Sequence, residues 1–251
     1  IVAKELIRYL QTKYNLFLVL NDKNKFNNKN LQNIKLLTFK DITKFKKIKF
    51  DILINCIAKH QFSKNRSIID YINSNILAFF KFLDLGIKTK LIINFSTISK
   101  FHLIEKKTVN ENTTLTNESL LGITKSSLDQ MLKFQKYPFI NLLLPGIVTR
   151  DKIVNRPFIK NLIYNIKSNK NVDITNLNKP FNSFIDVYEL FLFINFILES
   201  KKKIISGDYI FCPSGSTSLH KIIKYFKYFY NSKSKIINLG QNDKNYVLSN
   251  K

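Results

Sequence analysis

The stretch NESLLGITKSSLDQML (Asn117–Leu132) has apolar residues at helical spacing and carries Lys125 one turn after Leu121. Residues four apart on a helix share a face, so a reacting group at position 121 would stand beside the Lys125 ammonium. Leucine offers no such group. Gly122 lies inside the same pattern, where glycine costs about 1 kcal/mol relative to alanine, so something other than helix preference requires it. A second source of chemistry is KLIINFSTIS (90–99), an apolar run that breaks into Ser96, Thr97 and Ser99 and thereby puts hydroxyls at its rim. His102 follows a few residues later, and an imidazole with an ordinary pKa of about 6.5 could act as a base there. Glu118 is favourable charge in the first turn of the lysine helix. Tyr9 and Lys13 have the same four-residue spacing but precede every strand end, and they read as helix surface. The sequence contains no Ser-His-Asp arrangement and no zinc-ligand spacing.

The elements that must position these residues alternate. A helical pattern opens the chain (Ala3, Leu6, Ile7, Leu10), followed by short apolar runs that read as strands buried on both faces. These runs are LFLVL (16–20), IKLLTF (34–39), FDILINCIA (50–58), KLIINFSTIS and FINLLLPGIV (139–148). A helix from about Ser67 to Leu85 and the Lys125 helix lie among them. Such alternation predicts an α/β fold: a Rossmann-like, doubly wound parallel sheet with ligands bound beyond the carboxyl ends of its strands. After about residue 150 the character changes. PFIKNLIYNIKSN, the helix beginning near Asp186, the strand DYIFCPSG and TSLHKIIKYFKYF, capped by Thr217 or Ser218, predict a small α/β lobe over the strand ends, with some segments returning to the main sheet.

The whole chain sets bounds on the partners. Its 251 residues, 45% apolar and 23% charged, suffice for a sizeable core. The formal charge of +24 could indicate nucleic acid or an anionic surface, but the lysines are scattered among Asn, Ile and Phe, as drift toward AT-rich codons would also produce. Neither nucleic acid nor a membrane is the expected partner. Cys56 and Cys212 read as buried free thiols in a reducing compartment, and LFLFINFIL (190–198) is too short to span a bilayer, so a cytoplasmic protein is expected. Because the chain begins at Ile1 within a helical pattern and stops after NYVLS, a fragment trimmed at both ends is expected as well.

In their order, these strand ends resemble the extended short-chain dehydrogenase/reductase family, specifically its NAD-dependent sugar-nucleotide epimerases and dehydratases, from Ile1 to at least His220. In that family a glycine-rich loop after the first strand holds the pyrophosphate at a helix N-terminus. Here residues 1–150 resemble that domain without its first strand and glycine loop, and such a chain should bind cofactor poorly. The resemblance implies that Asp22, or Asn21, bonds the adenosine ribose. A carboxylate there favours NAD over NADP, a preference that Lys23 and Lys25 weaken, so the cofactor is NAD or NADP. Asp41 and Ile42 would contact adenine, Ala58 would let the chain pass close to the cofactor, and Asn75 would lie near the nicotinamide. Pro145 and Gly146 would line the nicotinamide, although Leu143 replaces an arginine common in the family.

The same resemblance implies that Thr97 bonds the substrate's reacting hydroxyl or carbonyl. Leu121 to Lys125 match the family's Tyr-Gly-x-Ser/Thr-Lys segment with leucine in the tyrosine position. The lysine would hold the nicotinamide ribose and lower the tyrosine pKa for proton removal. Lys100, Phe101 and His102 replace the usual Val-Tyr-Gly. The expected function is therefore an NAD(P)-dependent epimerase, dehydratase or reductase acting on a nucleotide-activated sugar, as a homodimer by family analogy. The alternative is a cofactor-binding pseudoenzyme of the same fold, impaired by Leu121. Residues 151–251 would supply most of the sugar-nucleotide lobe.

Overall fold

The computed structural model describes residues 2–20, 26, 32–45, 47–59, 67–101, 108–116, 119–149, 157–200, 204–241 and 246–249. Helix α1 (Val2–Leu10) leads to strands β1 (Leu16–Val19) and β2 (Ile34–Leu37) and the short helix α2 (Phe39–Ile42). Next come β3 (Lys49–Asn55), a helix running as α3 (Ile68–Ile72), a π segment (Asn73–Leu77) and α4 (Ala78–Asp84), and the long strand β4 (Lys88–Thr97). A 3-10 turn (Ile98–Phe101), β5 (Thr108–Val109), helix α5 (Leu120–Leu132), β6 (Phe139–Leu144) and β7 (Gly146–Val148) follow. The rest comprises α6 (Pro157–Lys167), β8 (Val172–Ile174), β9 (Pro180–Phe181), β10 (Phe184–Asp186), α7 (Val187–Glu199), β11 (Gly207–Ile210), β12 (Thr217–Ser218), α8 (Leu219–Phe229), β13 (Ile236–Asn238) and β14 (Val247–Leu248).

The central sheet has the order β11-β6-β4-β3, and every pairing in it is parallel. Parallel strands need helical crossovers, which cover both faces. On one face Leu91, Ile93 and Phe95 of β4 and Ile140, Leu142 and Leu144 of β6 pack with Leu6 and Leu10 of α1 and Leu190 and Ile194 of α7. On the other, Ile92 meets Ile76, Phe79 and Phe82 and Leu128 and Leu132 of α5. The period-two alternation of side chains along β4 thus serves two cores. The result is the expected doubly wound α/β architecture. β1 and β2 form a separate parallel pair, joined to β3 by the rings of Phe17 and Phe50, whose centroids are 5.2 Å apart. Among the described residues no backbone ladder links that pair to β3.

Two predicted strands end early, for local reasons. IKLLTF stops at Leu37 because the Asp41 carboxylate accepts from both Thr38 N (2.9 Å) and Thr38 Oγ1 (2.9 Å), starting α2 at Phe39. FINLLLPGIV divides at Pro145: the residues before it join the central sheet and Gly146–Val148 pairs with β10. Gly86, at φ 77°, closes α4 and turns the chain into β4, a left-handed position that glycine fills at no steric cost.

Beyond residue 157, α6, β8, β13 and α8 gather a cluster of their own, with Leu162, Ile166, Val172, Ile174, Leu219 and Ile223 buried. Asp186 caps α7 by accepting from Tyr188 N, and Ser218 caps α8. Cys56 and Cys212 are free thiols, each half-buried. Among the described residues no helix is long and apolar enough to cross a membrane.

Candidate active site

The carboxyl ends of β3 and β4 and the first two turns of α5 converge. Ser119 caps α5, its Oγ accepting from Gly122 N at 3.0 Å. The helix lies so close to the 3-10 turn that a Cβ on Gly122 would stand 2.9 Å from the Ser99 carbonyl oxygen and 3.3 Å from Lys100 Cα. That close approach accounts for a glycine inside a helix. It brings the next turn, with Lys125, over the strand ends.

Lys125 is buried, and its Nζ donates to the carbonyl oxygens of Ile57, just past β3, at 2.7 Å and Phe95, on β4, at 2.8 Å. Burial brings its pKa down from 10.5 to about 8, while the charge of Asp129 one turn further on opposes the fall. The neighbouring Cys56 thiol is pushed up to about 12 by burial, so it stays protonated and is not a nucleophile.

Asn75 fixes the other side of the same loop. It lies in the π segment, fully buried; its Oδ1 accepts from Lys59 N at 2.6 Å and its Nδ2 donates to Thr124 Oγ1 at 2.9 Å. The extra residue of a π segment redirects side chains locally, which here turns Asn75 toward α5. Ala58 therefore sits in a loop held by Lys125 on one flank and Asn75 on the other. At the end of β4, Thr97 Oγ1 donates to Ser99 Oγ (3.0 Å) and accepts from Ser99 N (3.0 Å). Leu121 is buried, at 6% exposure, and its carbonyl accepts from Thr124 Oγ1.

The fold thus brings Thr97, Lys125, Ala58 and Asn75 to one end of the central sheet. Others have different places. The Asp41 carboxylate is engaged in the α2 cap, and Ile42 is buried among Ile76, Phe79 and Leu83. Pro145 and Gly146 stand at the break between β6 and β7, where Gly146 N donates to Ser183 O at 2.9 Å. Asp22, Asn21, His102 and Glu118 lie outside the described residues. Tyr9, expected on the helix surface, instead packs half-buried against Tyr188 and Phe191 of α7, and Lys13 reaches Asn195.

A polar network beneath this site escaped the sequence reading. Asn55, Asn94, Asn141 and Asp208 stand in register on four adjacent strands. Asn55 Nδ2 donates to Asn94 Oδ1 (2.8 Å), Asn94 Nδ2 to Asn141 Oδ1 (3.1 Å), and Asn141 Nδ2 to Asp208 Oδ1 (2.8 Å). Asp129 of α5 closes the network: its carboxylate receives Asn94 Nδ2 (2.8 Å), Ser96 Oγ (2.5 Å) and Lys100 Nζ (3.1 Å). Burial raises the Asp129 pKa, and the Lys100 charge and Ser96 hydroxyl pull against that rise. Asn55 Oδ1 also accepts from Ile57 N, fixing the residue whose carbonyl binds Lys125. The available signal was one asparagine in each of three apolar runs, ILIN, LIIN and FINLLL.

No protein-family model matches the chain, and no curated protein matches it in sequence. Solved structures do. One is a UDP-glucuronic acid 4-epimerase from Bacillus cereus in complex with NAD, at TM-score 0.74 and 17% identity, covering 96% of this chain and 85% of the other. Another is a UDP-N-acetylglucosamine 4-epimerase from Methanobrevibacter ruminantium in complex with UDP-N-acetylmuramic acid, at TM-score 0.75 and 16% identity, covering 100% and 85%. A dTDP-glucose 4,6-dehydratase from Bacillus anthracis in complex with NAD reaches TM-score 0.71 at 13% identity, covering 100% and 84%. The chain has the fold of these nucleotide-sugar epimerases and dehydratases.

Proposed function

We propose that the protein is a cytoplasmic, NAD(P)-dependent epimerase, dehydratase or reductase acting on a nucleotide-activated sugar, with Lys125 and Thr97 at its site. The observation that carries this reading is Lys125: a buried ammonium held between the Ile57 and Phe95 carbonyls, at the carboxyl ends of two parallel strands. Ligands of doubly wound sheets bind at such ends. The residues fit the ribose side of a dinucleotide, because one flank of the small-residue loop at Ala58 is fixed by Asn75 and the other offers a positive donor. A nicotinamide bound there supplies hydride acceptance and return.

The protein's own groups then have defined tasks. Lys125 Nζ would hold ribose hydroxyls of the dinucleotide and keep positive charge beside the reacting centre. Thr97 Oγ1 holds the substrate oxygen, with Ser99 orienting the hydroxyl. The lobe around α6 and α8 supplies the sugar-nucleotide contacts. Leu121 takes no proton, so the base is a group other than residue 121. Loss of sugar conversion in Lys125→Ala and a gain in Leu121→Tyr are the expected outcomes; conversion unchanged in both variants would contradict the assignment. The burial of Leu121 favours one further reading, a pseudoenzyme that binds cofactor without turnover. Product formed by the parent but not by Lys125→Ala would exclude it.

Homodimerisation belongs to the same proposal. Leu77 and, half-buried beside it, Phe80 line the outer face of the α4 region, and Ile123, Met131 and Phe134 line that of α5. Phe80, Met131, Phe134 and Gln135 border a shallow hollow of about 280 Å³, which side chains of a second copy would fill.

A further inference from the structure

Helix α8 presents two unlike faces. Leu219 and Ile223 are buried in the cluster shared with α6, whereas Lys221, Lys224, Tyr225 and Tyr228, at i, i+3, i+4 and i+7, form an exposed stripe. Tyr225 is 63% exposed, Tyr228 87% and the adjoining Phe229 66%. The Tyr225 and Phe229 rings stack with centroids 6.4 Å apart. Between Asp208 and Asp243 the sequence has five lysines and no acidic residue. With residues 157–185, which carry four lysines and Asp173, the lobe has a formal charge of +8. The positive balance of these segments comes from their having a single acidic residue, Asp173, rather than from extra lysine.

We propose that this α8 face docks on an anionic lipid bilayer. A helix of 11 residues is ~16 Å long, too short to cross a bilayer and suited to lying in its plane. Tyrosine and phenylalanine rings settle at headgroup depth, while lysine stems lie along the apolar boundary with their ammonium groups on the lipid phosphates and carboxylates. Charge complementarity selects this occupant. A second copy would bring the same +8 to the contact and be repelled. A single-stranded nucleic acid prefers a groove that tracks its backbone, often with arginine on the phosphates; α8 is a convex helix, and residues 157–241 contain no arginine.

The chain has no tryptophan, so Tyr228→Trp introduces a single reporter on the stripe. With the full chain and phosphatidylserine-containing vesicles, its emission should shift to the blue. The shift should vanish in high salt and be absent with phosphatidylcholine alone. Phe134→Trp, in the exposed turn just past α5, should show no vesicle-dependent shift. The combined Tyr225→Ser, Tyr228→Ser and Phe229→Ser variant should keep the parent's circular dichroism and melting temperature yet bind anionic vesicles about tenfold more weakly or worse. The proposal is overturned by unshifted emission from the Tyr228→Trp variant, by parental vesicle affinity in the triple variant, or by a shift that single-stranded RNA produces and vesicles do not.

Discussion

Lys125 shows how one residue can be legible in chemistry and unexpected in energetics. Its place one turn after position 121 and beside a helical glycine was readable from local spacing. Its burial between two carbonyls was not, because Ile57 and Phe95 lie 68 and 30 residues away. The consequence is a pH dependence. The folded-state pKa, about 8, is below the unfolded value of 10.5, so the folded protein binds fewer protons between those limits. Stability should therefore rise from pH 8 to 10.5 by ~3 kcal/mol. This rise should be absent in Lys125→Met, as urea midpoints measured across that range would show. A flat profile in the parent would refute the buried charge. Gly122 follows the same division: helix propensity flagged it, and only the Ser99 carbonyl explains it.

At the scale of elements, the binding of α5 to β4 decides where the site residues meet. Asp129 is the fastener, receiving Asn94 and Ser96 of β4 and Lys100 of the turn beyond it. Lys100 is 1% exposed and Asp129 0%; removing Lys100 leaves the Asp129 carboxylate buried without its cation, and removing Asp129 leaves Lys100 only its longer contact to Asp208, at 3.4 Å. Asp129→Ala should cost about 3–5 kcal/mol in urea unfolding. A cost under about 1 kcal/mol, the range of an exposed pair, would show that the network does not fasten the helix. The main-sheet strands were readable from apolar runs, but the division of FINLLLPGIV at Pro145 was not. The asparagine ladder was hidden because cross-strand register is a tertiary property: each Asn looks like an isolated polar residue until Asn55, Asn94 and Asn141 are aligned. The capping box at Asp41 was hidden as well, since the short helix that it starts reads as the end of a strand.

At the scale of the molecule, the alternation of strands and helices made the doubly wound sheet predictable, and the match to epimerase and dehydratase structures at TM-scores of 0.71 to 0.75 agrees. The proposed homodimer would form through the apolar residues on the outer faces of α4 and α5. Sedimentation should give a dimer for the parent and a monomer for the doubly substituted Met131→Asp, Phe134→Asp variant; a dimer in both would place the interface elsewhere. The central claim is that a dinucleotide binds where Lys125 spans the ends of β3 and β4. Its most direct test is a titration of the reduced dinucleotide, read by its fluorescence, against the parent and Lys125→Met. The proposed site predicts weak but saturable enhancement in the parent and binding weakened about tenfold or more in the variant, the worth of a charge-assisted hydrogen bond. Equal affinity in the two proteins, or no saturable binding in either, would contradict it.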